Sequence, residues 1–113
     1  MKDYLLLLRA GIPAVNRTEE ENKADMEAWG AFMGGLAQNG QLSGGLPLVS
    51  GGKTVFATNV VDEPVNASEG IVGGYLIVKT ESLEEAVEIA KACPHIANEG
   101  NIEVREIAPM PAM

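Results

Sequence analysis

Apolar and polar positions along this chain switch between two periods, and the switches mark out its elements. Tyr4–Leu8 reads YLLLL, apolar at every position, which predicts a short strand buried on both faces and closed by Gly11 and Pro13. From Thr18 the period becomes helical. Thr18 and Glu21 stand at capping-box spacing, and Glu19 and Glu20 suit the positive end of a helix dipole. Met26, Trp29, Met33 and Leu36 then share one face. Gly30, Gly34 and Gly35 each weaken such a helix by about 1 kcal/mol relative to alanine, and close approach of the helix to a sheet is the expected compensation. Asn39-Gly40 is its stop signal.

The second half returns to strand-like patterning. Leu42–Val49, interrupted by glycine and proline, predicts an edge strand. Gly51-Gly52 is a hairpin signal, with Lys53–Val60 as the returning strand. Gly74–Lys79 predicts another strand. Ser82 and Glu85 open a second helix whose buried stripe is Leu83, Ala86, Val87 and Ala90, and Pro94 ends it. Ile102, Val104 and Ile107 form a last strand, with Glu103 and Arg105 alternating outward. The order β-α-β-β-β-α-β is that of an α+β, ferredoxin-like sandwich carrying one extra hairpin strand, with both helices on one face. A second copy is expected to cover the open sheet face, so the pattern predicts a homodimer.

Length and charge narrow the reading. The chain has 113 residues, enough for one core and one domain over residues 1–108, followed by a loose tail over 109–113. Its net charge of -8 excludes phosphate-backbone binding as a main role, because that needs clustered Lys and Arg. An anionic ligand would need a local exception, for which Arg9, Lys53 and Arg105 are candidates. The single cysteine, Cys93, rules out an intrachain disulfide, and the N-terminal apolar run is too short for a secretory or membrane-spanning segment. A cytoplasmic protein, bound neither to nucleic acid nor to a membrane, is expected.

Several segments, taken in order, resemble the DGPF-domain branch of the YCII-related family. They are MKDYLLLLRAG, Trp29, Gly44-Gly45 with Pro47-Leu48, GGYLIVK (Gly73–Lys79), SLEEAVEIAKACP (Ser82–Pro94) and IEVREI (Ile102–Ile107). The branch is named for an Asp-Gly-Pro-Phe motif. Here that position reads Asp62-Glu63-Pro64-Val65, and the Lys-Glu pair that follows it in the family has become Glu69-Gly70. The resemblance implies a dimeric α+β barrel with a cleft near the dimer interface. It implies no particular reaction. The His-Asp pair proposed as catalytic in the wider family has no counterpart here, since no histidine lies in or near the first helix.

Candidate chemistry centres on DEPVNASEGIVGGY, Asp62–Tyr75, read first as a strand connection and second as the rim of a ligand cleft. Asp62 is the candidate catalytic carboxylate, as base or polar anchor, against the plainer reading of a turn aspartate accepting backbone hydrogen bonds. A buried Asp62 in a cleft would point to an enzyme, and a solvated one to a binding module. Arg9, Trp29, Met33, Asp62, Ser68 and Tyr75 are the candidate ligand-binding residues. Ser68 has no histidine or lysine near it in sequence to activate it. His95 reads as a helix-end residue and Cys93 as a small buried one. One His and one Cys make no zinc site, so neither metal nor cofactor is expected. The leading function is a small homodimeric protein that binds a small metabolite or serves as a regulatory module. The alternative is a cofactor-free enzyme acting on a small organic acid or lactone, with Asp62 as base and Arg9 holding the substrate's negative charge.

Overall fold

The computed structural model describes residues 1–110, so most of the expected tail, residues 111–113, lies outside the described residues. Strands β1 (Lys2–Ala10), β2 (Leu42–Pro47), β5 (Val72–Thr80) and β6 (Gly100–Glu106) form one antiparallel sheet in the order β2-β5-β1-β6. Helix α1 (Glu19–Gln38) follows β1, and α2 (Leu83–Ala92) with the one-turn α3 (Pro94–Ala97) follows β5. The short strands β3 (Thr54–Val55) and β4 (Val60–Val61) make a separate ribbon. The body is thus a ferredoxin-like α+β fold with an arm inserted between β2 and β5.

Local chemistry accounts for the helices. Thr18 Oγ1 accepts from the Glu21 backbone N–H, and the Glu21 carboxylate accepts from the Thr18 N–H, closing the capping box. Those bonds hold the Glu21 carboxyl below the usual carboxylate range. Ser82 caps α2 by accepting from the Glu85 N–H. Asn39 ends α1, and Gly40 takes φ +68° directly after it. Pro94 does more than stop α2: it occupies the first turn of α3, where its missing N–H leaves no bond unmade.

The core lies between the helices and one sheet face. Tyr4, Leu6 and Leu8 of β1 and Leu76 and Val78 of β5 pack against Leu36 of α1 and Ala86 and Ala90 of α2. Leu5 and Leu7, which alternate with them, pair across strands with Ile77 and Tyr75 on the opposite face. No helix among the described residues covers those four, and they stay half-buried.

Two expectations are corrected. Lys53–Val60 does not return along β2; a hydrogen bond from the Phe56 N–H to the Asn59 carbonyl breaks it into the β3–β4 ribbon, while β2 pairs with β5. The cause is a tight turn inside the segment itself, and past Pro47 the chain continues along β5, through Leu48 N–H to the Gly73 carbonyl. The α1 glycines also do not serve close packing on the sheet. A Cβ at Gly30, Gly34 or Gly35 would meet nothing within 4 Å. They face outward, so their cost to the helix has no compensating contact among the described residues.

The arm gives the molecule its breadth. The radius of gyration is 15.5 Å, against roughly 13 Å for a compact chain of this length. Val49, Val55, Phe56, Val60 and Val65 are all exposed along it.

Candidate functional site

A broad open cleft of about 1290 Å³ runs between the N-terminal half of α1, the end of β1, the β2–β5 edge and α3. Its apolar lining includes Trp29 and Met33, which also pack against the core, Met26, which leaves the core stripe of α1 to face it, and Leu46 and Pro47 of β2. Met26 is 75% exposed for that reason. Trp29 stands edge-on to Phe32, with ring centroids 5.9 Å apart, an arrangement that fixes the indole. Tyr75 also lines the cleft, although its neighbours Leu7 and Leu46 in the ladder place it on the open sheet face. The cleft therefore opens onto that face.

One wall is polar, built from residues distant in sequence. Arg17 Nη1 lies 3.0 Å from Asp25 Oδ2, with both side chains largely buried. Asp25 Oδ1 accepts from Asn98 Nδ2 at 2.6 Å. The Asn98 carbonyl accepts from the Ile12 N–H, and its N–H donates to the His95 carbonyl. Arg17, Asp25, His95 and Asn98 all line the cleft. The Arg17–Asp25 contact is a charge pair without hydrogen-bond alignment, because Nε and Nη1 of Arg17 are buried with no hydrogen-bond partner. Such unspent donors are costly where water is excluded.

His95 is held from three sides. Its Nε2 is 2.7 Å from the Arg9 carbonyl oxygen. A Cβ at Gly100 would overlap the imidazole, and a Cβ at Gly11 would come within 3.0 Å of Cε1. Ala10, between Arg9 and Gly11, takes φ +57°, a left-handed conformation costing an alanine about 1–2 kcal/mol. The end of β1 is thus bent sharply where its carbonyl meets the histidine.

The residues singled out from sequence separate into two groups. Trp29, Met33 and Tyr75 come together in the cleft, while Arg9, Asp62 and Ser68 do not line it. The Arg9 guanidinium donates to the Gly70 carbonyl at 3.2 Å and pairs with Glu103 at 3.4 Å. It fastens the Asp62–Tyr75 connection to the sheet, helped by Asn101, which donates to the Glu69 carbonyl. Ser68 belongs to the same corner. The Glu69 N–H and then the Ser68 hydroxyl hold the Glu69 carboxylate below its ordinary pKa. Asp62 sits on the arm, paired with Lys53, its side chain 83% exposed. It is a solvated ribbon-end aspartate.

Sequence reasoning missed Arg17, Asp25, Asn98 and the placement of His95. One signal was present: Asp25 lies four residues before Trp29 and eight before Met33, so a carboxylate sits within the helix stripe read as apolar. Cys93, beside His95, is 2% exposed, and burial pushes its thiol up to about 11, which leaves it unreactive near neutrality. A smaller dent of about 440 Å³ between α2 and β6 has apolar walls of Leu83, Val87, Ile102 and Val104, with Lys91 as the one charged residue lining it. Among the described residues no group of three or more His, Cys, Asp or Glu is placed to hold a metal ion. No helix among them is long and apolar enough to cross a membrane.

Comparison with known proteins places the chain. Residues 4–111 match the YCII-related domain, and the chain belongs to that family. No curated protein sequence matches it. Among solved structures it is similar to the 5-chloro-2-hydroxyhydroquinone dehydrochlorinase of Burkholderia phenoliruptrix, described in complex with 2,5-dihydroxybenzoquinone. The two share 16% identity over 93% of each chain, with a TM-score of 0.56. The likeness is one of fold.

Proposed function

We propose that this YCII-related chain is a homodimeric small-molecule-binding protein whose ligand lies in the cleft between α1 and the β2–β5 edge. The observation that carries the reading is the cleft's composition: a wide apolar surface from Trp29, Met33 and Leu46, facing one compact polar wall. Small-molecule sites are built in this way, with apolar area for affinity and a few converging polar groups for orientation. The dimer rests on the uncovered sheet face. Leu5, Leu7, Tyr75 and Ile77 form a contiguous apolar patch there, edged by the Asp3–Lys79 pair at 3.0 Å. A second copy seated on that patch would bury Tyr75 and narrow a cleft that is otherwise too open to hold a small ligand tightly.

The solvated, ion-paired Asp62 is the turn aspartate expected of a binding module. An enzymatic reading therefore needs its base elsewhere, inside the cleft. The DGPF branch, a cytoplasmic location and a regulatory role belong to the same proposal. Native mass spectrometry of gently purified protein tests it. A dimer carrying an added small mass is the expected result, and a bare monomer at micromolar concentration would overturn it.

A further inference from the structure

The arm has the composition of a buried element but lies in the open. Thr54–Val61 reads TVFATNVV, without a charge in a chain of net charge -8, and Lys53 and Asp62 pair at its base. Each of its strands is two residues long, and a lone two-stranded ribbon is marginal at best in water. Val55 and Val60 are cross-strand partners and so share one face. Both are exposed, as is Phe56 at the turn, and β3 and β4 make their main contacts with each other. Sheet edges that stay uncovered are blunted by lysine, other charges or proline, and Thr54–Val61 has none of these. A second apolar surface stands beside the arm. Met26, Leu46, Leu48 and Ile71 are exposed along the cleft. The arm's two roots, Leu48–Gly51 and Pro64 with Asn66, line that cleft, but nothing from Gly52 to Glu63 does. Arm and cleft mouth are therefore neighbours in the chain that do not cover each other.

We propose that each cleft mouth is covered by the arm of a second copy, which lays Val55, Phe56 and Val60 against Met26 and Leu46 there, so that a single chain holds an incomplete site. This rests on the homodimeric small-molecule site proposed above, and deepens it by naming the residues that the other copy brings. Area favours a second copy as the occupant. Arm and cleft mouth together expose apolar surface on the order of 1,000 Å² per chain, above the few hundred usual for a monomer and matching what each partner gives a standard interface. Each copy carries one arm and one cleft mouth, so a two-fold exchange satisfies both and recruits no third chain. The arm is long enough. Val49 to Phe56 can reach up to about 23 Å, against about 14 Å across the three spacings of a four-stranded sheet. There is room for the ribbon and a ligand as well, because the cleft's volume of about 1290 Å³ exceeds the roughly 300–1,000 Å³ of most small-molecule sites.

Two measurements test this, and neither needs a ligand. In a Cys93→Ala background, Phe56→Cys and Met26→Cys are combined and treated with a short bismaleimide. Covalent dimers are expected from the pair, and none from Phe56→Cys alone. No link, a link closed within one chain, or dimers from Phe56→Cys alone, which would place the two arms against each other, overturns the proposal. The second measurement uses Trp29, the single tryptophan, which lines the cleft and reports how far its mouth is covered. Phe56→Ser alters a side chain that is exposed in the single chain. It is expected to weaken the dimer about tenfold in sedimentation and to move Trp29 emission to longer wavelength. An unchanged dimer with unchanged emission overturns the assignment. Sedimentation of the wild type separates this inference from the reading beneath it: a dimer whose arms do not link to Met26→Cys leaves the homodimer standing, whereas a monomer removes both.

Discussion

Two acidic residues, Asp25 on the cleft wall and Asp62 on the arm, each pair with a cation, and there the likeness ends. Asp25 is 19% exposed and Arg17 13%, whereas Asp62 is 83% exposed and Lys53 66%. Asp25 also accepts from Asn98 and so ties α1 to α3. Asp62 joins two segments of one small ribbon. Both pairs join residues eight or nine apart in the chain, but the largely buried Arg17–Asp25 pair lies in lower dielectric and the exposed Lys53–Asp62 pair is screened. A carboxylate's consequence depends on its surroundings rather than on the motif that carries it.

The largest expected difference between the regions is at Asp25. Asp25→Ala leaves the Arg17 charge unpaired and Asn98 without its acceptor, and should cost about 3 kcal/mol of stability in urea unfolding. A loss under about 1 kcal/mol would mean that Arg17 finds water as readily as Lys53 does.

Beside His95, the buried Cys93 thiol makes the same side of the molecule sensitive to alkali. Its pKa is raised from 9.0 to about 11, so the folded state favours the protonated thiol. That contribution is fully present below pH 9 and is lost as pH rises towards about 11, amounting to roughly 2–3 kcal/mol. Thermal unfolding followed across that window should show the midpoint falling with pH. Cys93→Ala should flatten the fall. Tyr4, its hydroxyl raised above 10.0 first by burial and then by Glu106, would leave a residual slope.

Gly100→Ala sets a methyl against the His95 ring and should cost roughly 1–3 kcal/mol by overpacking. It should also shift the His95 imidazole resonances. Smallest is the arm: Asp62→Asn should change stability by less than about 0.5 kcal/mol. A larger loss there would erase the contrast between the two carboxylates.

How far these regions could be read beforehand follows the range of the interactions involved. The capping boxes at Thr18 and Ser82, the stop at Asn39-Gly40 and the alternation of Glu103 and Arg105 involve neighbours three or fewer residues apart, and were legible. So was the aromatic stripe of Trp29 and Met33, though not that Met26 would leave the core for the cleft. The hairpin expected at Gly51-Gly52 lies instead at Phe56–Asn59, where a tighter turn joins Thr54–Val55 to Val60–Val61. The prominence of Asp62–Tyr75 reflects a corner clamped by Arg9 and Asn101, with Gly70 at φ +107° against Ala10. Its polar residues hold the corner, and the cleft's polar wall is built elsewhere.

By itself the sequence determined the α+β order of elements and their caps, because period and capping are properties of adjacent residues, but of the expected helix stripes Met26 and Leu83 are exposed. Only the tertiary structure decided that Arg17, Asp25, Asn98 and His95 form one wall. They come from the approach to α1, from α1 itself and from the turn after α2, and they meet because antiparallel β1 and β6 bring Ala10 opposite Gly100. That pairing presents the Arg9 carbonyl to a histidine 86 residues away, and no local pattern records a contact of that range.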